Sequence, residues 1–303
     1  MPEYFEENFH EYRRYIDAQQ NSKAVEAALD LLARRKAANS AQYTADHKGS
    51  PFYVLGYAAF ASHDYPSASL YFDAAVAADL NYHPGNHNTS ALRFMQLLTT
   101  EAEPLLARDS VVAMIVSMEK LLDDYRNRPG GQPITLDQLR TRFLHRIITT
   151  GAAHERTLVT ALLSFVAEWA YRAKQIELIE EGSREPFFLH ILRGCVLFES
   201  LLKAAPGTPR QLRTLGPALR HHAAALAINP SNIDTNETDF NNVPGSLHPH
   251  MTIVDTINTC AKSRNTVGHN LVWATTDLTP QNYDLLVKNI AASCLHAVSK
   301  LYP

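Results

Sequence analysis

Apolar residues recur along nearly the whole chain at intervals of three and four, and no stretch alternates apolar and polar for more than a few residues. Spacing of three and four lays one apolar stripe along a helix, whereas alternation is what a half-buried strand requires. The pattern predicts helices near 4–19, 21–37, 50–62, 66–79, 88–99, 107–126, 136–150, 154–181, 186–204, 208–227, 250–266 and 280–302. Breaks fall at Pro84-Gly85, Pro129-Gly130-Gly131, Gly182 and Pro206-Gly207. Gly216-Pro217 is expected to kink or split the helix at 208–227, because proline lacks the donor an interior turn needs. The longest interruption, Asn229 to Pro249, is rich in Asn, Asp and Pro and long enough to carry function or to move. The chain reads as all-α in two parts, 1–183 and 184–303.

Composition changes that picture in three ways. Glycine is scarce, 12 of 303 residues, which disfavours a turn-rich β-sandwich. Lys and Arg total 28 against 31 Asp and Glu, a net charge of −3, which excludes coating nucleic acid with a broad basic face but leaves room for one focused phosphate site. No run approaches the ~18 apolar residues of a membrane span, and the acidic start Met1-Pro2-Glu3-Tyr4-Phe5-Glu6-Glu7 has neither a basic leader nor an apolar stretch, so a cytoplasmic protein is expected. Cys195, Cys260 and Cys294 fall on apolar helix faces without any C-x-x-C pair, which reads as reduced core thiols. His221-His222 are adjacent on a helix and so point in different directions, and His248-Pro249-His250 has no acidic or thiol ligands at metal spacing, so no metal site is expected. Gly130-Gly131 lacks the Lys-Ser/Thr of a phosphate loop.

Near the N-terminus, Phe52-x2-Leu55-Gly56 is followed by Ala68-x3-Phe72-x2-Ala75. Small residues at this spacing let two helices approach closely, with Phe52 and Phe72 filling the crossing. The segment resembles a tetratricopeptide repeat. Ala59 stands where that pattern has an aromatic, and Leu80 where a proline closes the repeat. One such unit is identifiable; 24–37, with Val25, Leu29, Leu31 and Leu32, is a candidate degenerate neighbour. The expectation is a partly repeat-like array.

The chemistry concentrates near the C-terminus. Ile253, Ile257, Cys260 and Arg264 share one helix face, so a guanidinium extends an apolar stripe and wants a partner or ligand. Asn265 and Gly268 are poor helix formers, expected to interrupt or reshape the helix and to turn His269 back towards Arg264. A guanidinium grips phosphate through two parallel hydrogen bonds, and an imidazole trades protons near neutral pH. On an earlier helix, Phe188, Leu192, Cys195, Glu199 and Leu202 follow a 4-3-4-3 spacing, so Glu199 interrupts an apolar face. Its carboxylate either pairs with Arg264 or bridges to Lys203 one turn on. Arg210, Arg213 and Arg220, at helical spacing, form either a basic edge for RNA or a solvated face.

Arg264-Asn265-Thr266-Val267-Gly268-His269 resembles the R-x4–6-H motif, often Arg-Asn-x3-His, of the HEPN family of all-α nucleases and nucleotide-binding domains. Arg140-x4-His145 and Arg184-x5-His190 match the bare spacing but lack the Asn, and only Arg264 to His269 lies between the third and fourth of four helices spanning 186–303. The resemblance implies a C-terminal HEPN-like four-helix bundle that cleaves RNA without metal or cofactor at a composite site where two Arg-His motifs meet across a homodimer. It implies His269 as general acid or base, Arg264 as the phosphate-holding group, and Asn265 as a residue that shapes the turn or bonds to the partner motif. Toxin-type members often carry a Tyr two residues after the His; Leu271 stands there, so regulation through that Tyr is not expected. Residues 1–183 would restrain or direct the nuclease through a protein or nucleotide partner, in bacterial stress or phage defence. The rival reading is a non-catalytic interaction or nucleotide-sensing module with a dimerising bundle.

Overall fold

A computed structural model describes residues 9–101, 103, 105–179, 181–236, 239–269 and 278–302. Among these there are helices and no strands, so the protein is all-α. The helices are α1 (Phe9–Asp17), α2 (Asn21–Ala38), α3 (Ser40–Ala45), α4 (Gly49–Ala61), α5 (Tyr65–Tyr82), α6 (Ser90–Met95), α7 (Leu105–Arg126), α8 (Leu136–Leu139), α9 (Arg146–Thr150), α10 (Ala153–Leu178), α11 (Glu185–Ala204), α12 (Leu215–His222), α13 (Ile253–His269) and α14 (Pro280–Leu301). Residues 4–8 of the expected first helix lie outside the described residues. Cap side chains set several starts: Asp64 accepts from Ser67 N at α5, Thr135 and Gln138 form a reciprocal capping box at α8, and Thr279 accepts from Asn282 N at α14.

Three segments depart from the pattern-based expectation. Ser40–Ala45 forms a short helix of its own, capped by Asn39, where none is expected. Between α8 and α9 the backbone widens into a π-helical stretch, Arg140–His145, inside what reads as one amphipathic helix. The helix expected over 208–227 is confined to Leu215–His222, which places Pro217 in a first turn, where its missing N–H leaves no bond unmade.

The chain divides into two compact units, Met1–Ile115 with Leu144–Ser164, and Val116–Phe143 with Phe165–Pro303. In the first, α4 and α5 pack as a hairpin. A Cβ on Gly56 would stand 2.7 Å from Phe72 Cδ1, so only glycine admits the Phe72 ring there. Ala68 and Ala75 are buried beside it, and Phe94 stacks on Phe72 with ring centroids 3.8 Å apart. Tyr53 meets Phe72 at 5.9 Å, while Phe52, the ring expected at this crossing, is only half-buried. On α2 the buried stripe is Ala24, Ala28 and Leu31, with Leu32 beside it; Leu29 faces outwards, 42% exposed.

In the second unit α11, α13 and α14 pack pairwise, and α12 lies against α11. Gly194 permits the close approach of α11 and α14, because a Cβ there would lie 2.7 Å from Ile290 Cγ2. Ile253 N–H, at the start of α13, donates to the carbonyl of Pro129 at 3.0 Å, so the Pro129-Gly130-Gly131 turn seats that helix. Cys195, Cys260 and Cys294 are fully buried and unbridged, and burial pushes the Cys195 and Cys294 thiols well above the ordinary range. A low thiolate fraction is the opposite of what a nucleophilic cysteine needs.

Candidate functional site

Glu199 lies inward on α11, in line with buried Phe188, Cys195 and Leu202. A carboxylate on such a face needs cations, and it has two. Lys203 Nζ donates to Oε1 at 2.5 Å, and Arg264 Nε donates to Oε2 at 2.8 Å. The two pairings that the sequence leaves open therefore coexist on one carboxylate. The Glu199 side chain is 6% exposed, Lys203 33% and Arg264 32%, so the anion is sealed while both cations reach towards solvent. The buried anion fixes the Arg264 guanidinium against α11. Nη1 of Arg264 also donates to Asn265 Oδ1 at 3.3 Å, leaving Nη2 without a partner among the described residues.

Helix α13 carries both Arg264 and His269 and runs unbroken from Ile253 to His269. The expected interruption at Asn265 and Gly268 does not occur. Asn265 is held by a tertiary bond, its Nδ2 donating to the Thr235 carbonyl at 2.5 Å, and a Cβ on Gly268 would meet Leu192 only at an ordinary 3.7 Å. Five residues of regular helix separate Arg264 from His269 by about 140° around the axis, so His269 is not turned back towards Arg264. His269 is exposed at the last residue of α13. Asn270 and Leu271, the position compared with the toxin-type Tyr, lie outside the described residues.

The 229–249 segment is fastened to this same helix. Asn258 accepts from Asp234 N at 2.9 Å and donates to the Asn232 carbonyl at 2.7 Å. One turn on, Lys262 pairs with Asp234 at 2.7 Å and holds its carboxyl below the usual carboxylate range. Asn265 completes the row at spacings of four and three. Beside the row lies a polar cavity of about 380 Å³ lined by residues including His248, Asp255 and Thr259. Residues 237 and 238 of the segment are outside the described residues.

Arg210, Arg213 and Arg220 are all exposed. Arg210 and Arg213 precede α12, so the three do not share the helical face expected of them. Among the described residues no group of three or more His, Cys, Asp or Glu side chains could hold a metal ion. His190, from the Arg184-x5-His190 match, is fully buried: Nε2–H donates to the Phe165 carbonyl at 2.9 Å and Nδ1 accepts from Tyr283 Oη at 2.6 Å. Burial lowers its pKa to about 4 and keeps it neutral. His296 repeats the arrangement, donating to Leu226 O at 2.8 Å and accepting from Tyr125 Oη at 3.0 Å.

One feature of the site's support escapes sequence patterning. Thr256, Thr259, Ser263 and Thr266 form a buried polar seam along α13, and Asn289 and Ser293 of α14 are buried as well. Thr256 and Ser263 donate back to the Thr252 and Thr259 carbonyls, both at 2.7 Å, which lets hydroxyls sit in a core. Buried Arg128 ties in through Asn289 Oδ1 at 2.6 Å, Thr256 Oγ1 at 3.1 Å and Asp124 Oδ2 at 2.7 Å. Its nearest signal in the sequence is its place beside Pro129-Gly130-Gly131. No family model, no curated protein and no solved structure matches this chain.

Proposed function

We propose that this protein is a metal-independent RNA endonuclease of HEPN-like type, its C-terminal helices forming the bundle and two copies of Arg264 and His269 meeting across a homodimer. The observation that carries the reading is Arg264 held by a 6%-exposed carboxylate with Nη2 left over. A guanidinium fixed from behind offers a pre-set donor to a phosphate, so little ordering remains to be done when RNA binds. In the reaction a ribose 2′-OH attacks the adjacent phosphorus, the P–O5′ bond breaks, and a 2′,3′-cyclic phosphate and a free 5′-OH result. His269 takes the 2′-OH proton or delivers one to the leaving 5′ oxygen, with the partner copy serving the opposite step. Arg264 offsets charge on the non-bridging oxygens. Residues 1–183 restrain or direct this activity through a protein or nucleotide, in bacterial stress or phage defence.

The separation of Arg264 from His269 around an unbroken α13 favours a second reading, in which the bundle dimerises and binds nucleotide or protein without cleaving anything. Incubating single-stranded RNA with purified protein in EDTA distinguishes the two. Cleavage by wild type that is lost in His269→Ala supports the nuclease; equal inertness of both, with the dimer intact, supports the binding module.

A further inference from the structure

We propose that Lys203 is a second phosphate-binding group of this site, forming with Arg264 a two-cation clamp mounted on Glu199 that takes an internal phosphodiester of single-stranded RNA. The proposal rests on the reading of Arg264 as a phosphate-holding residue and extends it to a residue outside the Arg-His motif. Its basis is one juxtaposition: the two oxygens of a sealed carboxylate each carry one cation, at 2.5 and 2.8 Å. The cations are therefore neighbours, and they are nearly equally exposed, at 33% and 32%. One carboxylate and two cations leave a net charge of +1, which matches the single negative charge of a phosphodiester. Three N–H donors on Lys203 and five on Arg264 exceed what one carboxylate and Asn265 accept, so donors remain for non-bridging oxygens.

A purely structural Lys203 would be an ordinary i,i+4 helix pair, contributing about 0.3–0.5 kcal/mol to stability and nothing to RNA binding. Two arrangements speak for more. The partner carboxylate is buried instead of solvated, and it is shared with the arginine that the proposed function assigns to the phosphate.

The test uses the full-length protein and a fluorescein-labelled 2′-O-methyl oligoribonucleotide, which lacks the attacking hydroxyl and so reports binding alone. Anisotropy titrations over a series of salt concentrations are run for wild type, Lys203→Met, Lys203→Arg and Arg264→Met, with thermal melts to confirm folding. Lys203→Met is expected to weaken binding roughly tenfold and to lower the slope of log K against log salt by about 0.7, the value of one lost single-strand phosphate contact. Lys203→Arg should retain most of both. If Lys203→Met matches wild type in affinity and slope while Arg264→Met weakens binding, Lys203 is structural, the clamp is wrong and the nuclease reading stands. If wild type does not bind the oligonucleotide and cleaves no RNA in EDTA, the underlying reading fails and the clamp with it.

Discussion

The two compact units are built from the same kind of helix, but the α4–α5 crossing of the first and the helix faces that meet in the second differ in chemistry. In the first, α4 and α5 close on each other through small and aromatic residues, with Gly56, Ala68 and Ala75 making room for Phe72, Tyr53 and Phe94. In the second, the helix faces that meet carry Glu199, His190, Thr256, Thr259, Ser263, Asn289, Ser293 and His296, all buried. An apolar crossing stabilises through area and fit alone. Each buried polar group must instead find a partner to offset its lost hydration, and the partners fix the position of their neighbours. The α4–α5 crossing is organised for packing; the faces that meet in the second unit hold particular side chains in particular places. Both units also hold buried carboxylates against partly exposed cations, Glu103 with Arg93 at 2.7 Å in the first and Glu199 with Arg264 and Lys203 in the second.

The contrast can be broken most forcefully at Phe72. Phe72→Ala is expected to destabilise the first unit by about 3–5 kcal/mol, read as lost amide-exchange protection in α4 and α5, with α11 and α13 protected as before. Equal loss in both sets would show that the two cores are not separately organised.

A smaller effect comes from pH. Folded His190 has its pKa pushed down to about 4 by burial, whereas an unfolded imidazole takes its proton near ~6.5. The unfolded state therefore binds more protons between those values, so the stability from a neutral His190 is complete above pH ~6.5 and falls as the pH drops towards 4. Urea titrations at pH 7.5 and 5 should differ by about 2 kcal/mol from this residue alone, with buried His222 and His296 adding in the same direction. Replacing His190 with Phe should lower stability overall and flatten the pH dependence; an unchanged slope would remove His190 as its source.

Glu199→Gln sharpens the comparison next. It leaves Arg264 and Lys203 without their counter-charge, but a third of each cation faces water. The loss should be about 1–2 kcal/mol, below the 3–5 of a fully buried pair, and chemical denaturation measures it. Asn265→Ala should have the smallest effect, about 1 kcal/mol, seen as faster proteolysis within 229–249 with a nearly unchanged melting temperature.

Much of this architecture was legible because amphipathic helices announce themselves by apolar spacing, and Glu199 stood out as one carboxylate in an apolar 4-3-4-3 row. What escaped depends on contacts between residues far apart in sequence. The hydroxyls of α13 read as ordinary polar positions until their i−4 carbonyls and Arg128, more than a hundred residues earlier, supply the partners. The π-helical stretch at 140–145 leaves apolar spacing nearly unchanged, so periodicity does not detect it. Asn265 and Gly268 were expected to break α13 on intrinsic propensity, a preference worth about 1 kcal/mol or less per residue, and packing of the rest of the helix overrides it. The helix expected at 208–227 begins only at Leu215, which keeps Pro217 in a first turn.

Phosphoryl transfer driven by the ribose itself is the reaction proposed for Arg264 and His269. The direct test is cleavage in EDTA of a labelled RNA against the same sequence carrying 2′-O-methyl groups throughout. The RNA is expected to be cut to 2′,3′-cyclic phosphate and 5′-OH ends, the methylated strand to stay intact, and His269→Ala to cut neither. Cleavage of the methylated strand, or undiminished cleavage by His269→Ala, would contradict this assignment.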